Sequence, residues 1–262
     1  MKVGRWNDLG ERIGVGAVVA GIGLVCVWFG GFVFGALTVV ISAVMVWELV
    51  RMLDADAPAV RLALASAAGL IVAEIVPPAY ALPLLLGPIF LGVTLLKRRR
   101  ATYAVFTVLI VLAGLGLYIL RTENGAIWML WLALAVIATD VFGYLVGRQL
   151  GGPKLWPRVS PNKTWSGTLA GWAAAGGVGA IFMTFTEANA EIIPVSIALS
   201  MAAQIGDIAE SAVKRRAGVK DSSSLLPGHG GLFDRFDGML GAAVFFLLVA
   251  QIIDFPPGIV AG

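Results

Sequence analysis

The sequence predicts an all-α, polytopic integral membrane protein with about nine transmembrane helices and a cytoplasmic N-terminus. Three observations carry this prediction. First, of 262 residues, 59% are hydrophobic and only 13% charged, against roughly 25% charged in ordinary soluble domains, and the mean hydropathy is +0.90. Second, the apolar residues fall in blocks close to the roughly 20 residues that carry a helix across a hydrocarbon core. Third, 18 of the 19 Lys and Arg residues fall on one side once the blocks are read as alternating spans.

In order, the apolar blocks predict spans at about 13–29, 31–53, 60–76, 78–96, 102–120, 126–147, 168–186, 192–213 and 238–256. Gly30-Gly31 separates the first pair and Pro77-Pro78 the third and fourth, both suited to tight turns. One side of the membrane then collects Lys2, Arg5, Arg12, Arg51, Arg61, Lys97 to Arg100, Arg148, Lys154, Arg158, Lys163, Lys214, Arg215, Arg216, Lys220 and Arg235. The other side keeps only Arg121. By the positive-inside rule the rich side is cytoplasmic, and Lys97-Arg98-Arg99-Arg100 is an orientation signal. The basic N-terminus before an apolar run resembles a signal peptide, but the next apolar run follows at once without a small-residue cleavage site, so the first span is retained. The chain divides into residues 1–125, with about five spans, and 126–262, with about four. No 20–50-residue repeat is present.

Several classes drop out. The single Cys26 forms no internal disulfide and reads as a small buried hydrophobe. One histidine cannot supply a three-histidine zinc site. There is no phosphate-binding GxxxxGK[ST] loop. The basic balance follows membrane orientation, so no nucleic-acid partner is expected. Many of the 33 glycines lie within spans, and Gly31–Gly35, Gly171–Ala175 and Gly176–Ala180 have the small-xxx-small spacing of closely packed helices.

Charge beside a span is costly and marks function. Residues 207–237 hold five of the sixteen acids: Asp207, Glu210, Asp221, Asp234 and Asp237. Asp207, Glu210, Ser211 and Lys214 share one face of the eighth span's end. Asp234 and Asp237 share a face where the ninth begins, where the helix dipole favours acids. Oxygen donors at two helix ends suit a hard divalent cation. Mg2+ is commonly held by one or two carboxylates plus substrate phosphates. Lys214, Arg215, Lys220 and Arg235 supply positive charge for phosphates. A second cluster runs from Asp140 to Lys163. There Ser160, Asn162, Lys163 and Thr164 can grip a phosphate or base, or form a solvated loop.

The stretch SAVKRRAGVKDSSSLLPGHGGLFDRFD, residues 211–237, resembles the signature of the CDP-diacylglycerol synthases, also called phosphatidate cytidylyltransferases. DVFGYLVGR and SPNKTWSG upstream are similar to a second conserved region of that family, with departures at Asn162, where lysine is expected, and Ser166, where glutamate is expected. The resemblance covers the C-terminal half, and the first five spans match only in character. Added to the cytoplasmic placement of both charged clusters by the charge count, and to a short chain without a long N-terminal extension, it implies a bacterial enzyme of the plasma (inner) membrane with its active site facing the cytoplasm. It also implies CTP and phosphatidate as substrates, CDP-diacylglycerol and pyrophosphate as products, a homodimer, and Mg2+ as cofactor, with one or two ions left open. On that analogy Asp207 and Asp234 are the first metal ligands, and Asp221 and Asp237 the next. Asp207, Asp234, Lys214 and His229 are the catalytic set, and Ser160, Lys163, Thr164, Ser211, Arg215, Lys220 and Arg235 the substrate-binding set. His229 either meets a phosphate or pyrophosphate, or ties the glycine-rich turn to a neighbouring helix.

Two other functions fit the same pattern. A CTP-dependent lipid-alcohol kinase would release CDP. An ion-coupled transporter would use Asp140, Asp207 and Glu210 as a pathway, although the absent repeat and the one-sided charge weigh against it. CDP-alcohol phosphotransferases fit less well, because Met239-Leu240-Gly241-Ala242 follows Asp237-Gly238 where their motif would continue.

Overall fold

The apolar blocks form helices throughout the computed structural model, which describes residues 4–250, 252 and 255. Among the described residues there are nine helices: α1 (Gly4–Phe29), α2 (Gly31–Leu53), α3 (Ala59–Ile75), α4 (Pro78–Leu95), α5 (Arg100–Glu123), α6 (Gly125–Leu150), α7 (Trp165–Met183), α8 (Ile192–Ala217) and α9 (Phe233–Val249). Five of them, α2, α5, α6, α7 and α8, are long and apolar enough to cross a membrane. Lys2 and most of the end of the expected ninth span lie outside the described residues.

Two helix starts moved furthest. Helix α1 begins nine residues before the apolar run, because its polar start continues the same helix. Helix α9 begins five residues earlier than expected, at Phe233, and both Asp234 and Asp237 lie inside it. Its first backbone donors, Leu232 and Phe233 N–H, are accepted by the Glu48 carboxylate, which satisfies groups a helix start otherwise leaves unpaired. The expected turns hold: Gly30 takes φ 63° and Gly31 φ 47° between α1 and α2, a backbone region that glycine enters without Cβ strain.

The all-α expectation needs one correction. The polar stretch after α6 is a hairpin in which β1 (Lys154–Trp156) pairs antiparallel with β2 (Ser160–Thr164). Each strand is too short to show a period in the sequence. The pairing is closed by the Trp165 N–H donating to Pro153 O at 3.0 Å. Thr164 then caps α7, accepting the Gly167 N–H at 3.3 Å.

The chain forms two compact units. One holds the residues up to Tyr118 together with Arg216–Phe236, and the other Ile119–Arg215 together with the residues from Asp237 on. In the first, α2 packs on α3 and α3 on α4. Val46, Leu49, Leu62, Leu70, Tyr103 and Phe233 are buried there, and Phe106 meets Phe233 edge to face at 6.2 Å. In the second, α6 packs on α7. Polar pairs join α6 to α8: Trp131 donates to Ser196 at 2.9 Å and Thr139 to Ser200 at 2.7 Å. Close backbone approach depends on glycine. A Cβ on Gly167 would lie 2.4 Å from Gly143 O, and one on Gly241 would lie 2.1 Å from Ala202 O.

Candidate active site

The predicted site residues divide between the units. Ser160, Lys163, Thr164, Asp207, Ser211, Lys214, Arg215 and Asp237 belong to the second, and Lys220, Asp221, His229, Asp234 and Arg235 to the first.

In the second unit, the end of α8 carries the expected polar stripe. Asp207 Oδ2 pairs with Lys163 Nζ of β2, each side chain about a quarter exposed. Ser211, one turn on, donates to Asp207 Oδ1 at 3.3 Å. Lys214 meets the buried Glu210 at 2.5 Å, an i, i+4 pair. Asp237 sits within electrostatic reach of Asp207, Asp140 and Lys214, and its Oδ1 accepts the Gly238 N–H at 2.7 Å. A Cβ on Gly206 would lie 2.4 Å from Asp237 O, so glycine brings α8 and α9 together beside these acids. Thr164 is buried as the cap of α7, and Asn162 is exposed. Ser166, the other departure from the expected pattern, donates to Gly151 O and shares a 3.0 Å hydrogen bond with Thr164. It thus closes the base of the hairpin. Ser160 lies on β2 opposite Trp156.

In the first unit, the signature loop is an ordered structure. Asp234 Oδ2 accepts three donors: Gly231 N–H at 2.7 Å, Ser222 N–H at 2.9 Å and Ser222 Oγ–H at 3.0 Å. Gly230, at φ +80°, lets the chain turn over this carboxylate, where an added Cβ would lie 2.6 Å from Oδ2 and 3.3 Å from Asp221 Cβ. Arg235 donates to His229 O from Nε at 3.1 Å and from Nη2 at 2.8 Å. His229 Nδ1 lies 3.4 Å from Pro227 O. Its Nε2 faces α1, 3.6 Å from where a Cβ on Gly16 would sit. Lys220 and Asp221 are exposed.

Sequence reasoning missed Glu48. It lies near the end of α2, is 0% exposed, and accepts four donors from the signature loop. Oε1 takes Ser223 Oγ–H at 2.6 Å and Leu232 N–H at 2.9 Å, and Oε2 takes Ser222 Oγ–H at 3.3 Å and Phe233 N–H at 2.7 Å. The available signal was a lone acid inside the second apolar run, but its partners lie more than 170 residues away.

Among the described residues, no three His, Cys, Asp or Glu side chains gather to hold a metal ion by themselves. The donor set still suits Mg2+, which needs only one or two carboxylates when waters and substrate phosphates complete its shell. Asp207 and Asp237 offer hard oxygens within one unit. On Asp234, Oδ2 already accepts from Gly231 and Ser222.

A phosphatidate cytidylyltransferase of Brucella abortus (strain 2308) is 46% identical over 148 residues, which is 55% of this chain and 55% of that protein. The enzyme of the same name from Staphylococcus saprophyticus is 40% identical over 160 residues, 58% of this chain and 62% of that protein. The matched region thus spans little more than half the length of these curated relatives. The sequence profile of the cytidylyltransferase family extends further, across residues 10–253, taking in the acidic stripe, the hairpin, the signature loop and Glu48 alike, and this chain belongs to that family.

Proposed function

We propose that the protein transfers the cytidylyl group of CTP to phosphatidate, forming CDP-diacylglycerol and pyrophosphate in a Mg2+-dependent reaction. The observation that carries this reading is the pairing of Lys163 with Asp207 on a helix face that also bears Ser211 and Lys214, in a chain of the cytidylyltransferase family. The names of the relatives give phosphatidate as the acceptor.

The chemistry asks little of a protein base. The phosphatidate phosphate is already an anionic nucleophile, and the barrier is repulsion between it and the triphosphate. Lys163, Lys214 and Arg215 of one unit offset that repulsion and hold phosphates for in-line attack on the α-phosphorus, and Lys220 and Arg235 of the other unit are further phosphate candidates. Asp207 and Asp237 would hold Mg2+, with Asp234 and Asp221 as further candidates. The ion, when bound, neutralises phosphate charge and stabilises departing pyrophosphate. His229 belongs to the proposed catalytic set, with a phosphate or the pyrophosphate as its partner.

The same reading includes nine spans with a cytoplasmic N-terminus, supported by the one-sided distribution of basic residues. It places the enzyme in a bacterial plasma membrane with its site facing the cytosol, where soluble CTP meets a membrane-anchored acceptor, and it includes a homodimer.

The test is turnover by the purified full chain in lipid, with CTP labelled in the cytosine ring, phosphatidate and Mg2+. Label should enter the lipid product, and Asp207→Ala should abolish it. Label recovered as CDP beside a phosphorylated lipid alcohol would replace transferase with kinase. Undiminished activity in Asp207→Ala, Asp234→Ala and Asp237→Ala would remove the metal assignment.

A further inference from the structure

We infer that Glu48 is a positioning residue for the signature loop: its carboxylate, projecting from α2, sets residues 222–233 in the arrangement the reaction uses. This rests on the proposed cytidylyl transfer for its catalytic consequence, though not for its geometry.

The geometry concerns acceptor number. Four donors converge on one side chain, two on each oxygen. A carboxylate has about four lone-pair sites and no hydrogen to donate, so it satisfies all four. Glutamine has one acceptor oxygen, and its NH2 would face donors. A glutamine of nearly the same shape therefore cannot replace Glu48. Complete burial adds to the demand, because a buried donor left unmade costs far more than an average hydrogen bond contributes.

The contact points at the signature residues. Phe233 N–H and Leu232 N–H open α9, and the very next residue is Asp234. Ser222 is shared: its single Oγ–H lies between the two carboxylates, 3.0 Å from Asp234 Oδ2 and 3.3 Å from Glu48 Oε2. Gly231 is held to glycine by the same cradle, since a Cβ there would lie 2.0 Å from Ser222 Oγ and 2.5 Å from Glu48 Oε1. Lys220, Asp221 and Arg235, assigned to phosphates and metal, flank the segment thus fixed. Glu48 itself is fully enclosed, so its effect passes through the loop.

Hydrogen exchange and steady-state kinetics on the full chain in lipid nanodiscs test this. In Glu48→Gln, exchange at the Leu232 and Phe233 amides should rise by about tenfold or more as their acceptor is lost. The kcat should fall by about tenfold to a hundredfold while the KM for CTP stays within about threefold, the mark of lost alignment. Glu48→Asp, which keeps both oxygens on a shorter stem, should recover part of each effect. Gly231→Ala approaches from the loop side with Glu48 intact and should give the same split. Glu74→Gln, which alters another acid of this unit, should leave exchange at 232 and 233 as in the wild type. Wild-type exchange and kcat in Glu48→Gln or Gly231→Ala would overturn the inference, and so would an equal rise in exchange across α2 to α5. If the wild-type chain makes no CDP-diacylglycerol, the functional proposal fails, and the exchange measurement alone decides whether Glu48 orders the loop.

Discussion

Lys163 is bound to Asp207, and the two belong to the groups assigned to phosphate and to metal. A triphosphate that recruits Lys163 must break this pair, freeing Asp207 Oδ2 as it does so. On the proposed assignment, nucleotide and cation binding are coupled through this one ion pair. Lys163→Gln should raise the KM for CTP by about tenfold, the scale of one lost charged hydrogen bond. Mn2+ binding without nucleotide, followed by paramagnetic resonance, should be equal or tighter in that variant, and weaker binding would refute the coupling. Asp54, beyond the end of α2, makes a different kind of contact. The Lys97 N–H donates to its Oδ2 at 2.8 Å and the Arg98 N–H at 3.3 Å. The Lys97 amide foremost, then the Arg98 amide and charge, hold its carboxyl below the usual carboxylate range, against the opposing effect of desolvation. A lowered folded value means the stabilisation is complete above the unfolded-state pKa and is lost as pH falls through the folded one. Asp54→Asn should therefore be less stable than wild type near neutral pH, with the gap closing in acid, as read by thermal unfolding across pH 2–7. At this scale the sequence was legible where residues act through near neighbours. Asp207, Ser211, Glu210 and Lys214 share a face because helical spacing dictates it. Glu48 was not legible, because its partners are set by folding across the chain.

Between helices, glycine decides how near two backbones come. Gly206 and Gly241 face each other across α8 and α9, where a Cβ on the first would lie 2.4 Å from Asp237 O and one on the second 2.1 Å from Ala202 O. Backbone cannot step aside as a flexible side chain can. Gly206→Ala and Gly241→Ala should each destabilise the protein by about 1–3 kcal/mol, typical of overpacking, and Gly206→Ala should also impair turnover because Asp207 is the next residue. Thermal unfolding in detergent with paired activity assays measures both effects. Gly177, with nothing within 4 Å of a Cβ, should accept alanine without loss. The small-xxx-small spacing pointed to Gly171, whose Cβ would meet Thr139 O at 2.9 Å. It also singled out Gly31, where an added Cβ would meet nothing within 4 Å. Spacing marks which glycines can pack, and only the neighbouring helix settles which do. The hairpin β1–β2 escaped the hydropathy reading because eight strand residues carry no resolvable period.

Across the whole molecule, the hydropathy blocks located every helix among the described residues, since burying apolar side chains in lipid or protein demands satisfied backbone and the helix supplies it. The grouping of the helices was less visible. Residues 216–236 fold with the first five helices' unit, not with the α6–α8 residues that precede them. The proposed orientation predicts that single cysteines introduced at positions 98, 158 and 224, in a Cys26→Ser background, react with impermeant reagents only from the cytoplasmic side. Cysteines at 123 and 187 should react only from outside, and the reverse pattern would invert the topology. The Glu48 contact has a last consequence, for the order of events at the ribosome. Ser222 and Phe233 are made 174 and 185 residues after Glu48, which at roughly 5–20 residues per second is a delay of about ten to forty seconds. Throughout it, α2 carries an acid whose four donors have yet to be synthesised. A nascent chain cut short before residue 222 never acquires them, and its Glu48 carboxylate keeps no partner for the burial it has in the finished fold.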